Sequence, residues 1–218
     1  MINRKEIDTI LDNLPSDSKL VAVSKLKSNE LILEAYNYGL KDFGENRPQE
    51  LSQKMAELPN DIRWHFIGHL QTNKIKMIID KVHLIHSIDS QRLLAAVNRQ
   101  ATRRNIVVDC LLQVYIASEE SKQGLSTEEL EQIVSNIEEY ANVRICGLMG
   151  MASFTSDKTI VASEFSNLKK IFDSLKGGAL KNSDHFKELS MGMSNDYLTA
   201  IEYGTTLVRI GSLLFGDN

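Results

Sequence analysis

The stretch Leu20-Val21-Ala22-Val23-Ser24-Lys25 decides how the chain folds. An unbroken apolar run with two β-branched valines leads into a serine and a lysine, which is typical of a strand buried on both faces. Such a strand needs neighbouring strands on both edges and helices over the sheet. If it opens a barrel, Lys25 lies at the rim where barrels of this kind hold small molecules.

Seven further strand-like segments follow this one, and helical patterns separate them. The eight strands are predicted at residues 20–25, 42–45, 64–68, 83–89, 107–116, 144–152, 187–192 and 207–216. Alternation of strands and helices predicts a parallel sheet with right-handed crossovers. Eight such units favour a closed barrel over an open doubly wound sheet. The predicted fold class is therefore α/β, a single (β/α)8 TIM-type barrel.

The predicted helices carry recognisable start and stop signals. Ser126 and Glu129 form a capping box before an amphipathic stretch. Another stretch stops at Gly177-Gly178. Ser194 is a candidate N-cap for a helix that ends near Gly204.

Composition limits the classes of function. A chain of 218 residues without a linker or repeat suits one domain, residues 1–218. The net charge of -4 gives no basic excess for binding nucleic acid. Its apolar runs are too short to span a membrane, and the N-terminus lacks the core of a signal peptide. Cys110 and Cys146 lie in apolar segments and are predicted to be reduced thiols of a protein that is not secreted.

Lys25 ends the first predicted strand segment, and Lys27 follows two residues later. If the strand continues, both side chains point to the same side. Imine chemistry needs a neutral amine, whereas a free lysine is protonated at neutral pH. Burial and a neighbouring ammonium both favour the neutral form. The pair is therefore either an activated amine with its own perturbing charge or two solvated rim lysines.

Polar residues also stand at the ends of other strands. Asn46 follows strand 2 and Ser87 lies in strand 4, and each is either a hydrogen-bond partner for a ligand or a residue of a turn or strand end. His65 and His69 lie four residues apart on strand 3, roughly 13 Å, which is too far for one metal ion, and no metal site is predicted. Lys122, in a charged loop after strand 5, is either a second amine near the mouth or a solvated side chain.

The last two strands predict an anion site. Ser190-Met191-Gly192-Met193-Ser194 ends strand 7, and Val208-Arg209-Ile210-Gly211-Ser212 lies in strand 8. Glycine lets backbone N–H groups approach an anion, and the loops after strands 7 and 8 are the usual phosphate site of this fold. Arg209, inside an apolar strand, needs a buried partner, either a phosphate or an acidic side chain.

A closed barrel pairs strand 8 with strand 1, so the candidate imine lysine and the phosphate cradle become neighbours. An aldehyde that carries a phosphate fits both. Pyridoxal 5'-phosphate (PLP) is the compound with that pair of groups.

The motifs, in order, resemble the pyridoxal phosphate homeostasis proteins, relatives of the barrel domain of alanine racemase, from about residue 20 to 216. They are Ala22-Val23-Ser24-Lys25, Phe43-Gly44-Glu45-Asn46, Trp64-His65-Phe66-Ile67-Gly68, Leu70-Gln71, Asn73-Lys74, His86-Ser87-Ile88-Asp89, Glu120-Ser121-Lys122 with Gly124, Gly147-Leu148-Met149, Leu189-Ser190-Met191-Gly192-Met193-Ser194 with Asp196, and Val208-Arg209-Ile210-Gly211-Ser212 with Phe215-Gly216. Each motif is weak alone, and together they are specific.

The resemblance implies a site for PLP. It implies that Lys25 forms an aldimine with the cofactor and that Asn46 and Ser87 line the side of the ring. It implies that the phosphate is surrounded by Ser190, Met191, Gly192, Gly211 and Ser212. Arg209 would lie beside the cofactor, either at the pyridine nitrogen or at the phosphate.

The resemblance also implies a function without an accepted catalytic reaction. Such a protein binds and buffers PLP and delivers it to apo-forms of PLP-dependent enzymes, as a cytoplasmic monomer. One alternative is a small PLP-dependent enzyme, such as a racemase or lyase, with Lys25 and Lys122 as candidate bases. Another is an aldolase-like barrel that uses an imine lysine without PLP. A racemase needs a second acid or base from another domain or subunit, and the sequence indicates no second domain.

Overall fold

The structure is a computed structural model that describes residues 1–117 and 124–216. Eight parallel strands form a closed barrel in sequence order, and β8 pairs with β1. The strands are β1 (Lys19–Val23), β2 (Asp42–Glu45), β3 (Arg63–Phe66), β4 (Leu84–Ile88), β5 (Val108–Gln113), β6 (Val143–Met149), β7 (Glu188–Ser190) and β8 (Leu207–Ile210). The predicted (β/α)8 barrel is confirmed, and the open sheet is excluded by the pairing of β8 with β1. The extent of the domain, 1–218, stays a prediction.

Helices cover the outside of this barrel. They are α1 (Arg4–Asn13), α2 (Asn29–Asn37), α3 (Pro48–Glu57), α4 (Gln91–Arg104), α5 (Thr127–Ser135), α6 (Lys158–Gly177), α7 (Tyr197–Glu202) and α8 (Ser212–Phe215), with 3-10 helices at Thr72–Met77 and Ile137–Tyr140. The main core lies between these helices and the sheet. A smaller apolar cluster fills the barrel itself, formed by Val21, Leu84, Leu111, Cys146, Met149 and Leu207.

The strand β1 shows why alternate residues matter in this fold. Val21 packs inside the barrel, while Leu20 and Ala22 pack against the helices. Both faces are therefore apolar, as the first sequence motif predicts. The same alternation places Val23 at the rim of the barrel, immediately before the two lysines.

Several strands end earlier than predicted, and the residues beyond them build the rim. The largest difference is at β8, predicted over 207–216, which ends at Ile210 and is followed by α8. The alternating apolar residues of this segment resemble a strand, but Leu214 and Phe215 donate backbone hydrogen bonds to Gly211 instead. The predicted segments 20–25, 64–68, 107–116, 144–152 and 187–192 end at Val23, Phe66, Gln113, Met149 and Ser190.

The helix signals give a mixed outcome. The capping box of Ser126 and Glu129 is present at the start of α5, as predicted. The N-cap prediction for Ser194 is wrong, because α7 begins at Tyr197 with Asp196 as its N-cap residue. The Ser194 hydroxyl accepts a hydrogen bond from Ser212 instead.

Both cysteines are buried free thiols, as predicted. Burial raises the pKa of Cys146 to about 12, so this thiol stays protonated at neutral pH. Among residues 1–117 and 124–216, no helix combines the length and apolar character needed to cross a membrane.

Candidate functional site

The carboxyl ends of the strands surround a cavity of about 550 Å³. Lys25 and Lys27 line it from the loop after β1, and Asn46 lines it from the loop after β2. From β8 and the following turn come Arg209, Gly211 and Ser212. The cavity therefore brings together five of the nine predicted site residues, on the rim where this fold places its sites.

The predicted phosphate residues of β7 lie behind this cavity rather than in its wall. Ser190, Met191 and Gly192 are buried, and Met191 is part of the hydrophobic core. The two residues that follow them, Met193 and Ser194, line the cavity instead. Whether Ser190, Met191 and Gly192 contact a phosphate stays a prediction, because β7 ends at Ser190 and the chain reaches the cavity wall only at Met193.

The loops after β7 and β8 are joined to each other. Ser212 Oγ donates to Ser194 Oγ at 3.0 Å. At Gly211, a Cβ atom would lie 3.1 Å from the carbonyl oxygen of Val23, so glycine allows β8 to pass close to β1. The N–H of Ser212 donates to no acceptor among the described residues, as expected at the start of a helix.

A bulge in β4 explains how Ser87 comes to be buried. Ile85 pairs with Cys110 and Ile88 pairs with Leu112, so two residues of β4 stand opposite Leu111 alone. A bulge of this kind redirects a side chain next to a site. Ser87 is buried behind the cavity and does not line it.

Two predicted ligand contacts are buried polar atoms without partners among the described residues, Asn46 Oδ1 and Ser87 Oγ. Leaving such an atom unbonded costs about 1–3 kcal/mol. Asn46 lines the cavity, so its Oδ1 can accept a hydrogen bond from a bound molecule, whereas Ser87 does not line the cavity and its contact stays a prediction. The family resemblance implies that both residues lie on the ring side of PLP, and the chemistry of these atoms fits that group.

Lys25 stands in a turn rather than in β1. Ser24 is buried, whereas Lys25 is exposed, so the burial considered from the sequence is not present. The N–H of Lys27 donates to the carbonyl oxygen of Ser24 at 3.0 Å and closes the turn. The two lysines nevertheless face the same cavity, and Lys27 Nζ donates to Gly216 O at 3.0 Å.

Arg209 is a buried cation whose direct partners are neutral. Its Nη1 donates to Ser190 Oγ at 2.5 Å, and its Nη2 donates to Gly150 O at 3.1 Å. No carboxylate of the described residues forms an ion pair with it. Burial lowers the pKa of Arg209 to about 10, and the charge of Asp196 partly opposes that. Among residues 1–117 and 124–216, no acidic side chain pairs directly with Arg209, so the phosphate considered from the sequence as its partner stays a prediction.

Behind Arg209, a chain of hydrogen bonds crosses the barrel core. His86 Nδ1 lies 2.9 Å from Ser190 Oγ, and His86 Nε2 lies 2.8 Å from His65 Nδ1. His65 Nε2 lies 3.0 Å from Asp42 Oδ1 at the opposite end of the barrel. The chain thus joins Arg209, at the rim, to Asp42, the first residue of β2.

The two ends of this chain fix its direction. Arginine only donates and an ionised carboxylate only accepts. Ser190 therefore accepts from Arg209 and donates to His86, which in turn donates from Nε2 to His65, and His65 donates to Asp42. In this arrangement His86 accepts at Nδ1 and donates from Nε2. Burial holds the pKa of His86 well below its usual range, and the positive charge of Arg209 lowers it further.

Asp42 anchors the far end of the chain. Burial raises the pKa of its carboxyl, but hydrogen bonds from Arg63 and His65 outweigh burial, and the net pKa lies well below the usual range. A carboxylate oxygen of Asp42 and ring nitrogens of His65 and His83 lie within 4.8 Å of one another. Arg63 already holds both carboxylate oxygens, which disfavours a cation there. His69 pairs with Asp89, so His65 and His69 bond to different groups, as expected from their spacing.

The fold and the rim that carries Lys25 and Arg209 define the class of the protein: a (β/α)8 barrel of the alanine racemase N-terminal domain type. Residues 3–218 match the family model for the alanine racemase N-terminal domain. A solved alanine racemase from Streptomyces coelicolor shares this fold, with a TM-score of 0.79 and 18% identity over 99% of this chain and 58% of that one.

Nearer relatives define the family. The pyridoxal phosphate homeostasis protein of Aquifex aeolicus is 42% identical over 92% of this chain and 87% of its own length. That of Synechocystis sp. is 38% identical over 95% of both chains. The structure of PipY from Synechococcus elongatus with PLP bound has a TM-score of 0.88 and 32% identity, covering 97% of this chain and 99% of PipY. The chain belongs to the pyridoxal phosphate homeostasis protein family.

Glu120-Ser121-Lys122 lies outside the described residues. The candidate role of Lys122 therefore stays a prediction.

Proposed function

We propose that this protein binds PLP through a Schiff base on Lys25, and that it buffers the cofactor and delivers it to apo-forms of PLP-dependent enzymes. The observation that carries the proposal is the cavity shared by Lys25 and the buried cation Arg209. An amine and an anion-binding group at one rim match the aldehyde and the phosphate of PLP. The PLP-bound PipY structure and the names of the relatives support the same ligand.

Each part of the cavity has a role in this proposal. Gly211 and Ser212 offer backbone donors to the phosphate, and Ser194, which accepts a hydrogen bond from the Ser212 hydroxyl, offers its own hydroxyl as a donor. Asn46 Oδ1 and Ser87 Oγ offer polar atoms to the ring and its substituents. Ser190, Met191 and Gly192 are buried at the end of β7, and their contact with the phosphate remains part of the proposal. Arg209 supplies positive charge, either to the phosphate or as a donor at the pyridine nitrogen.

The chemistry of attachment is a condensation. PLP supplies an electrophilic aldehyde carbon, which forms a C=N bond with an amine while the aldehyde oxygen leaves as water. Lys25 supplies the amine from an exposed turn, so water and the amines of other proteins can also reach this position. That accessibility suits reversible loading and release, because the amine does not have to become exposed before the cofactor leaves.

The test is the absorbance of the purified protein with PLP, before and after borohydride. Wild type should show a visible imine band that borohydride abolishes. Lys25→Ala should lose or shift this band. The matched control is Lys19→Ala, an exposed lysine at the opposite end of β1, which should behave like wild type. A protein that takes up no PLP would overturn the proposal and return attention to a barrel that uses an imine lysine without PLP.

A small PLP-dependent enzyme acting on amino acids is the competing hypothesis. It predicts exchange of the α-proton of an amino acid with solvent, dependent on PLP and on Lys25. We expect no such exchange, because carriage of the cofactor requires no proton transfer to a substrate carbon. Exchange that Lys25→Ala abolishes would replace the carrier function with an enzymatic one.

A further inference from the structure

A buried lysine on α3, Lys54, lies beneath the turn that carries Lys25. Its side chain is only 6% exposed. The ammonium donates to Ser24 O at 2.9 Å, to Glu45 Oε1 at 2.8 Å and to Glu50 Oε1 at 2.7 Å. An ammonium has three donors, so every proton of this group has an acceptor.

These contacts reach both peptide groups that flank the Cα atom of Lys25. The carbonyl oxygen of Ser24 belongs to the peptide before Lys25, and Lys54 donates to it directly. The N–H of Leu26 belongs to the peptide after Lys25, and it donates to Glu50 Oε1 at 2.8 Å. Glu50 is in turn held by Lys54. The orientation of both peptide planes sets the direction in which the Lys25 side chain leaves the backbone.

The turn needs this support because its backbone is unusual. Leu26 has a φ of 61°, in the left-handed region that favours glycine. More than half of its side chain surface is exposed, so packing of the side chain does little to hold it. Ser24 is also fixed from below, since its Oγ donates to Glu45 Oε1 at 2.5 Å.

We propose that Lys54 is a positioning residue for Lys25: through Ser24 and Glu50 it holds the two peptide groups that aim the Lys25 amine into the cavity. This inference rests on the proposed function, because it concerns the amine that forms the C=N bond with the aldehyde. Lys54 lies outside the cavity wall and does not touch the ligand in this proposal. It acts only through the turn.

The test compares two ligands on the full-length protein. PLP forms the C=N bond with Lys25, whereas pyridoxine 5'-phosphate carries an alcohol in place of the aldehyde and binds without it. For Lys54→Met, we expect imine formation to slow by roughly 10- to 100-fold, as for other small misplacements of a reacting group. The affinity for pyridoxine 5'-phosphate should stay within about twofold, since the phosphate side of the cavity is untouched.

Two further variants make the outcome decisive. Glu50→Ala removes the acceptor for the Leu26 N–H from a partly exposed position and should show the same selective loss, even if Lys54→Met fails to fold. Glu50→Gln keeps an oxygen acceptor and should restore most of the rate. Lys41→Met, a surface lysine paired with Asp61, is the matched control and should resemble wild type.

The outcomes separate this inference from the proposed function. Equal losses for PLP and pyridoxine 5'-phosphate would show a general structural role and overturn the positioning role, as would an unchanged rate in Lys54→Met and Glu50→Ala. If wild type itself forms no imine, while it still binds pyridoxine 5'-phosphate, the proposed attachment to Lys25 fails. In that case Lys54→Met and Glu50→Ala also form no imine, and both bind pyridoxine 5'-phosphate as wild type does.

Discussion

Arg209 Nη1, on β8, donates to the hydroxyl of Ser190, on β7, at 2.5 Å. The strand β8 also pairs with β1, which leads into the turn that carries Lys25. The contact between Arg209 and Ser190 ties the buried cation of the rim to the histidine chain of the barrel core. This contact orients the guanidinium, but the hydroxyl is neutral and does not balance the positive charge. A bound anion or a ring nitrogen in the cavity would provide the missing partner.

Arg209→Gln should weaken PLP binding while leaving the barrel folded. Hydrogen bonds to charged groups contribute about 1.5–3 kcal/mol, so we expect the dissociation constant to rise roughly 10- to 100-fold. Equilibrium dialysis measures the affinity, and thermal unfolding reports on the fold. Arg104→Gln is the matched control, because Arg104 pairs with Asp80 at the surface. Unchanged PLP affinity in Arg209→Gln would remove Arg209 from the site.

The same variant separates the two positions considered for Arg209. Pyridoxal lacks the phosphate but keeps the ring and the aldehyde. If Arg209 contacts the phosphate, Arg209→Gln should weaken PLP binding and leave pyridoxal binding unchanged. If it contacts the pyridine nitrogen, both ligands should lose affinity by a similar factor.

His86 should make the folded protein less stable in acid. The folded state holds His86 neutral, with its pKa well below the usual range because of burial and, to a smaller extent, the charge of Arg209. An unfolded histidine takes up a proton below about pH 6.5. In that window the unfolded state binds more protons, so the free energy of unfolding falls as the pH falls, by up to about 1.4 kcal/mol per pH unit from this group.

Urea unfolding of wild type and His86→Gln at pH 8, 6.5 and 5.5 measures this contribution. The variant should be less stable at pH 8, because Ser190 and His65 lose a buried partner. Its free energy of unfolding should fall less steeply than that of wild type below pH 6.5. Equal slopes in the two proteins would show that His86 is already charged in the folded state.

The barrel could be predicted from the sequence because short, mostly buried strand segments, of which β1 is the most apolar, alternate with periodic helical segments. The ends of the strands could not be predicted, because the residue at which a strand stops pairing with its neighbours depends on tertiary contacts. At β1, the backbone turns after Val23 because Glu45, Glu50 and Lys54 hold the next residues. These three side chains carry no local signal of that role.

The residues of the candidate site also divide into those that the sequence reveals and those that only the folded barrel brings together. Lys25 and Arg209 stand out in the sequence, because a lysine ends an apolar run and an arginine interrupts one. The buried partners behind Arg209 come from β2, β3, β4 and β7, and only closure of the barrel brings them together. Met193 and Ser194 line the cavity but were not among the predicted site residues. The sequence does not show that β7 stops pairing at Ser190.

Gly192→Ala should destabilise the protein more than Gly39→Ala. Both glycines have a positive φ, of 91° and 115°, so each substitution incurs backbone strain of about 1–2 kcal/mol. At Gly192 the new Cβ would also lie 2.7 Å from Ala200 Cβ and 3.0 Å from Tyr197 Cα, whereas nothing lies within 4 Å at Gly39. Overpacking adds about 1–3 kcal/mol, measured as a difference in urea unfolding. Equal losses would show that the loop relaxes freely.

Lys27 should assist release of PLP to an acceptor enzyme. It lines the same cavity as Lys25 and is restrained by a hydrogen bond to Gly216 O, so its amine can take over the aldehyde by exchange of one C=N bond for another. Lys27→Ala, loaded with PLP, should therefore slow the activation of an apo-enzyme, followed as recovery of its activity over time. Lys122→Ala, loaded in the same way, tests the other candidate amine. Lys76→Ala, on the 3-10 helix after β3, is the control. Transfer rates equal to wild type in both variants would show that PLP passes from Lys25 directly to the recipient or to water.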